Sequence, residues 1–125
     1  MRADIKTKWV AALRSGEYEQ TGGMLRSNNG YCCLGVLCDL YAKETGMKWW
    51  EGGGKYAMHG NDTMLPHEVR AWAHLADEFG AYVEVETDEG GATYPPYLAN
   101  PSLTELNDSW AYNFKMIADV IEQQL

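Results

Sequence analysis

Residues 28–41 restrict the fold more than any other stretch of this chain. Asn28-Asn29-Gly30 is a tight-turn signal, because Asn and Gly tolerate the left-handed backbone that a short hairpin loop demands. Tyr31-Cys32-Cys33 then reads as a returning strand. From Leu34 the apolar period changes at once to that of a helix: Leu34, Leu37, Cys38 and Tyr41 share one stripe, which Gly46 ends. A hairpin that feeds directly into a helix points to a mixed fold.

The flanking sequence extends this pattern. Asp4 to Ser15 carries Ile5, Trp9, Ala12 and Leu13 at helical spacing and stops at Gly16. Residues 17–20 and 24–27 read as short strands around Gly22-Gly23, and Trp49 to Met58 as a second hairpin with a glycine-rich tip. Pro66 opens a helix through Val69, Trp72 and Ala73 to about Glu78, before Gly80. Ala81 to Glu86 alternates like a strand, and Thr87 to Asn100 is a turn-rich, mobile loop. Ser102 caps a short helical turn with Leu103 and Leu106. Asn107-Asp108-Ser109 caps a final helix whose stripe is Phe114, Ile117, Ile121 and Leu125. With no internal repeat or long linker, residues 1–125 predict a single α+β domain, about four helical segments packed on short antiparallel hairpins.

Charge is unevenly spread. Residues 1–50 hold seven bases against five acids (+2), and residues 51–125 three bases against thirteen acids (−10). A net charge of −8 repels nucleic acid, where phosphate contact dominates attraction, so no nucleic-acid partner is expected. An anionic ligand would look to the first fifty residues. No apolar run reaches the roughly 20 residues that cross a bilayer, and Met1-Arg2-Ala3-Asp4-Ile5-Lys6 lacks the apolar core of a secretory signal. Three clustered cysteines, Cys32, Cys33 and Cys38, suit a reducing compartment. The expectation is a cytoplasmic protein without a membrane partner.

Trp9 with Ala12-Leu13-Arg14-Ser15-Gly16, then Tyr18, Gln20, Gly22 and Leu25, then Tyr31-Cys32-Cys33-Leu34-Gly35-Val36-Leu37-Cys38-Asp39-Leu40, resembles a recurring family of small phage and prophage proteins. The likeness continues at Leu65-Pro66, Val69 and Trp72, and ends with Leu106-Asn107-Asp108, Phe114, Ile117-Ala118 and Ile121-Glu122. It implies a small viral accessory protein acting in the host cytoplasm.

Catalysis finds no specific pattern. Cys32-Cys33 lacks zinc-finger spacing and Cys33-x₄-Cys38 stands at its upper limit, even with His59, His67 and His74 available, so buried thiols and no metal or cofactor are expected. On a strand, Cys32 and Cys33 point to opposite faces. Gly52-Gly53-Gly54-Lys55 lacks the phosphate-loop spacing, and Tyr56 stands where Ser or Thr would meet magnesium. The carboxylates Glu84/Glu86 and Asp88/Glu89 fall in a strand and a turn that face solvent.

Aromatics are the stronger clue: five Trp and eight Tyr, several beside turns (Tyr18, Tyr31, Trp49, Trp50, Tyr94, Tyr97). Such rings suit stacking on planar bases or protein partners. Trp9 and Trp72 read as core. Arg14 and Arg26 flank the first hairpin, where they can clamp a phosphate; Arg14 capping its own helix is the plainer alternative. The expected ligand-binding set is Arg14, Tyr18, Gln20, Arg26, Tyr31, Asn107 and Asp108, with Gln20, Asn107 and Asp108 reading ribose hydroxyls or base edges. The function expected is sequestration, without chemistry, of a host nucleotide immune signal such as a cyclic or modified ADP-ribose, by analogy with phage sponge proteins. An acidic protein–protein inhibitor that mimics nucleic acid is the alternative, and a metal- or thiol-dependent enzyme comes third. Exposed strand edges predict a homo-oligomer, a dimer with a pocket near or across its interface.

Overall fold

The computed structural model describes residues 1–85, 100–108 and 112–125. Its core is organised around α2 (Cys33–Thr45), in which every residue from Cys33 to Asp39 is buried. A helix buried all round needs cover on several sides. α1 (Ala3–Arg14) turns Ile5, Trp9, Val10 and Leu13 inward, and α5 (Phe114–Gln124) contributes Phe114, Ile117, Ala118 and Ile121. The Trp9 indole N–H donates to the Cys33 carbonyl at 3.0 Å, which satisfies a buried donor and sets α1 against α2. Burying side chains of this size contributes roughly 1.5–3 kcal/mol each.

Two antiparallel hairpins stand beside these helices. The first pairs β1 (Arg26–Ser27) with β2 (Gly30–Tyr31), Arg26 opposite Tyr31, and the Asn28-Asn29 turn lies where the sequence places it. The second pairs β3 (Trp50–Gly52) with β4 (Lys55–Ala57), in the register Trp50–Ala57, Glu51–Tyr56 and Gly52–Lys55. Gly53 and Gly54 both take positive φ (59° and 78°) at its tip, the backbone that a two-residue loop requires.

α3 (His67–Ala73) and α4 (Leu103–Asp108) complete five helices among the described residues. Ser102 opens α4 in a reciprocal cap. Its hydroxyl accepts the Glu105 N–H (3.2 Å) while the Glu105 carboxylate accepts the Ser102 N–H (3.3 Å). Arg2 closes α3, its backbone N–H donating to the Ala73 carbonyl (3.0 Å) and its guanidinium to that of Trp72 (3.2 Å). The fold class is α+β, as the sequence pattern implies.

Several local expectations are corrected. The strand expected through Cys33 stops at Tyr31. Cys32 is the N-cap of α2, its sulfur accepting the Gly35 N–H at 3.4 Å, and Cys33 is the first helical residue. Residues 17–20 give a single parallel bridge, Gln20 to Tyr31, and within 24–27 only Arg26 and Ser27 pair. The helix from Pro66 has Pro66 as its N-cap. It ends at Ala73 because His74 turns left-handed (φ 57°) and the Leu75 N–H closes on the Arg70 carbonyl at 2.9 Å. Of the strand expected over 81–86, residues 81–85 hold one bridge, Tyr82 to Ser102. Asn107 and Asp108 lie inside α4; the cap of α5 is Asn113, whose side-chain oxygen accepts the Met116 N–H at 2.9 Å. Trp72 is half-buried, set edge-on against Tyr41. Glu86, residues 87–99 of the expected loop, with Tyr94 and Tyr97, and Ser109 lie outside the described residues.

Candidate functional site

The two hairpins and the start of α2 assemble an aromatic cluster with a cation at its centre. The Arg26 guanidinium carbon lies 4.2 Å from the ring centroid of Tyr56, 5.1 Å from Tyr31 and 5.5 Å from Trp49. Tyr31 packs edge-on against Tyr18 (5.0 Å between centroids) and Trp49 (6.3 Å). Local structure explains the convergence: Arg26 and Tyr31 are cross-strand partners in the first hairpin, and Tyr56 comes from β4 of the second. Arg26 is half-buried, yet among the described residues its guanidinium has no hydrogen-bond or ion-pair partner.

Asp39 holds the rings from below. This carboxylate is 9 % exposed and accepts the Tyr18 hydroxyl (2.6 Å), the Trp49 indole N–H (3.1 Å) and the Lys43 ammonium (3.3 Å). Three donors offset the cost of burying a charge. Burial and the bond to Asp39 push the Tyr18 phenol upward, and burial does the same to Tyr31. Both stay protonated donors at neutral pH.

Next to the cluster, sharing Tyr56, a cavity of about 580 Å³ opens on the second hairpin, lined also by Met47, Lys48, Trp50, Lys55, His59 and Asp62 among others. His59 Nε2 lies 2.9 Å from the Tyr41 hydroxyl, and its Nδ1 lies 3.4 Å from the Glu68 carboxylate. With the proton on Nδ1, Nε2 accepts from Tyr41.

The expected ligand-binding residues fall into three places. Tyr18, Arg26 and Tyr31 do come together in the aromatic cluster. Arg14 is engaged elsewhere: its two terminal nitrogens each lie 2.7 Å from a carboxylate of α5, Asp119 and Glu122, and it lines a cleft with Lys6 and Val10. Those carboxylates, Glu122 first, raise its already high basicity. Gln20, Asn107 and Asp108 meet in a third place, a shallow cleft of about 360 Å³. There Asn107 is fully committed. Its oxygen accepts from Gln20 (3.0 Å) and the Cys33 N–H (3.2 Å), and its amide donates to the Thr21 carbonyl and Asp108, both at 2.8 Å.

Tyr56, Asp39, Lys48 and His59 were not in the expected set. A lone acid within the apolar run Cys32–Leu40 is a legible signal, since a buried carboxylate requires donors. The register of the second hairpin, countable from its Gly53-Gly54 tip, places Tyr56 opposite Glu51.

The thiols serve the core. Cys33 donates to the Leu103 carbonyl (3.6 Å), and burial pushes Cys32 up to about 11 and holds Cys33 and Cys38 well above the ordinary thiol range. Among the described residues no three His, Cys, Asp or Glu side chains are grouped to hold a metal ion, and no helix is long and apolar enough to cross a membrane.

No curated protein and no solved structure matches the chain. The family described as "Domain of unknown function (DUF8296)" matches it along residues 1–125, and the chain belongs to that family.

Proposed function

We propose that this chain is a phage anti-defence protein that binds and sequesters a host nucleotide immune signal of the cyclic or modified ADP-ribose type, in the host cytoplasm and without transforming it. One observation carries the reading. Arg26 is a half-buried cation stacked among three rings whose N–H donors find no acceptor among the described residues. A guanidinium held in this way is oriented before any ligand arrives, so a phosphate gains charge-assisted bonds without the entropic cost of ordering the side chain. The surrounding rings supply stacking surface for a base. Two copies pairing through their hairpin edges belong to the same proposal.

Calorimetry with ADP-ribose and cyclic ADP-ribose tests it. The wild-type chain is expected to bind at least one of them, and Arg26→Ala to weaken that binding by about 1.5–3 kcal/mol, roughly tenfold to more than a hundredfold. Arg14→Ala is expected to leave affinity unchanged, since its partners are on α5. Absence of binding, or an Arg26→Ala chain that binds equally well, sinks the reading. Loss of anti-defence activity on charge reversal of Glu84, Glu86, Asp88 and Glu89, with Arg26→Ala still active, puts the acidic protein inhibitor in its place.

A further inference from the structure

Resting on that reading, we infer that the ligand itself sits in the cavity of the second hairpin. Lys48 and Lys55 take its anionic group there, and the exposed Trp50 ring stacks on its planar group. The ligand class is then an aromatic ring carrying a phosphate close by, as in a nucleotide.

Size is the first support. At about 580 Å³ the cavity lies within the roughly 300–1,000 Å³ of small-molecule sites. Charge is the second. The chain carries −8 overall, yet this cavity gathers two lysines against the single carboxylate of Asp62. Among the described residues, neither Lys48 nor Lys55 has an ion-pair or hydrogen-bond partner, whereas Lys43 pairs with Asp39 and Lys8 with Glu44.

Trp50 is the third. It is 60 % exposed, an unusual position for so large an apolar surface. The ring lies over its near neighbour Gly52, so closely that a Cβ there would come within 2.7 Å of two ring carbons. A side chain at position 52 would displace the ring, so glycine there leaves the indole room beside the strand. A water-facing indole of this kind offers a stacking surface for a planar group.

Tyr56 joins this cavity to the aromatic cluster, since it lines the one while Arg26 lies over its ring in the other. A diphosphate with two attached groups can therefore reach from Lys48 and Lys55 towards Arg26.

The experiment is calorimetry with ADP-ribose, AMP and inorganic pyrophosphate on the wild type, Trp50→Ala, Gly52→Ala and the Lys48→Ala/Lys55→Ala double variant. Each fold is checked by circular dichroism. Trp50→Ala is expected to weaken ADP-ribose and AMP by about tenfold and to leave pyrophosphate unchanged. Gly52→Ala, which keeps the indole but moves it, is expected to act in the same direction. The double lysine variant is expected to weaken all three probes by about tenfold or more. If the wild type binds ADP-ribose, Arg26→Ala loses it and every cavity variant retains it, this assignment is overturned while the proposed function stands. If the wild type binds none of the probes, both fall. Pyrophosphate bound as tightly as ADP-ribose, with no effect of Trp50→Ala, overturns the stacked-ring assignment.

Discussion

At Gly35, in the first turn of α2, a Cβ would come within 1.7 Å of the Leu25 carbonyl oxygen. That carbonyl accepts the Cys32 N–H at 3.1 Å, so the backbone before the first hairpin and the helix that follows it are in direct contact, with no space for a side chain between them. Gly35→Ala must push the two apart, and overpacking against backbone has no flexible side chain to absorb it. The variant is expected to lose about 3 kcal/mol or more in urea denaturation, or to fail to fold. A loss under about 1 kcal/mol would mean that α2 can slide away from Leu25. At this scale Gly35 and Asp39 are related: one lets the helix approach the hairpins, and the other ties Tyr18 and Trp49 to it.

Among the elements, α2 shows most clearly what a sequence can and cannot convey. Its end at Gly46 and its stripe of Leu34, Leu37 and Cys38 were legible, because glycine in a left-handed C-cap and apolar residues at helical spacing are local physics. Its start was not. Cys32 is a poor N-cap by propensity, and it takes the role because tertiary contact puts Leu25 and Asn107 against its neighbours. The same limit misplaced the cap of α5: Asn107 and Asn113 are equally good caps locally, and three of the four partners of Asn107 lie 74 to 87 residues away in the chain. Of the candidate site, the hairpin residues were legible as neighbours through cross-strand pairing. Arg14 was not, because its partners on α5 are remote in sequence. The thiols of α2 also give a pH prediction. Burial raises Cys32 to about 11, and Cys33 and Cys38 also rise, while the unfolded chain ionises from an ordinary value near 9.0. The stabilisation is therefore complete below pH 9 and lost as pH climbs through about 11. Tyr18, Tyr31 and Lys43 are shifted the same way and steepen the fall. Thermal denaturation should show a Tm that drops over this window, and Cys38→Ala should flatten the drop while lowering the Tm at pH 7 through lost packing. An unchanged slope would remove the thiols from the explanation.

On the scale of the whole molecule, the outer edge of β2 is taken by residues 19–21, whereas among the described residues the second hairpin has two strands in its ladder, with Trp50 and Met47 exposed on or beside it. Light scattering across a concentration series is expected to give the mass of a dimer; a constant monomer mass at high concentration contradicts the proposed pairing. The packing of α1 against α5, fastened by Arg14 to residues 105 and 108 positions further along, has a consequence of another kind. Contacts this distant in sequence can be made only after the intervening chain exists, and closing so long a loop carries an entropic penalty that no early local contact repays. During synthesis Ile5, Trp9, Val10 and Leu13 emerge first and wait longest for the helix that covers them. A nascent chain stalled before residue 114 holds that apolar stripe without its partner, which makes the synthesis of α5 the step on which escape from aggregation depends.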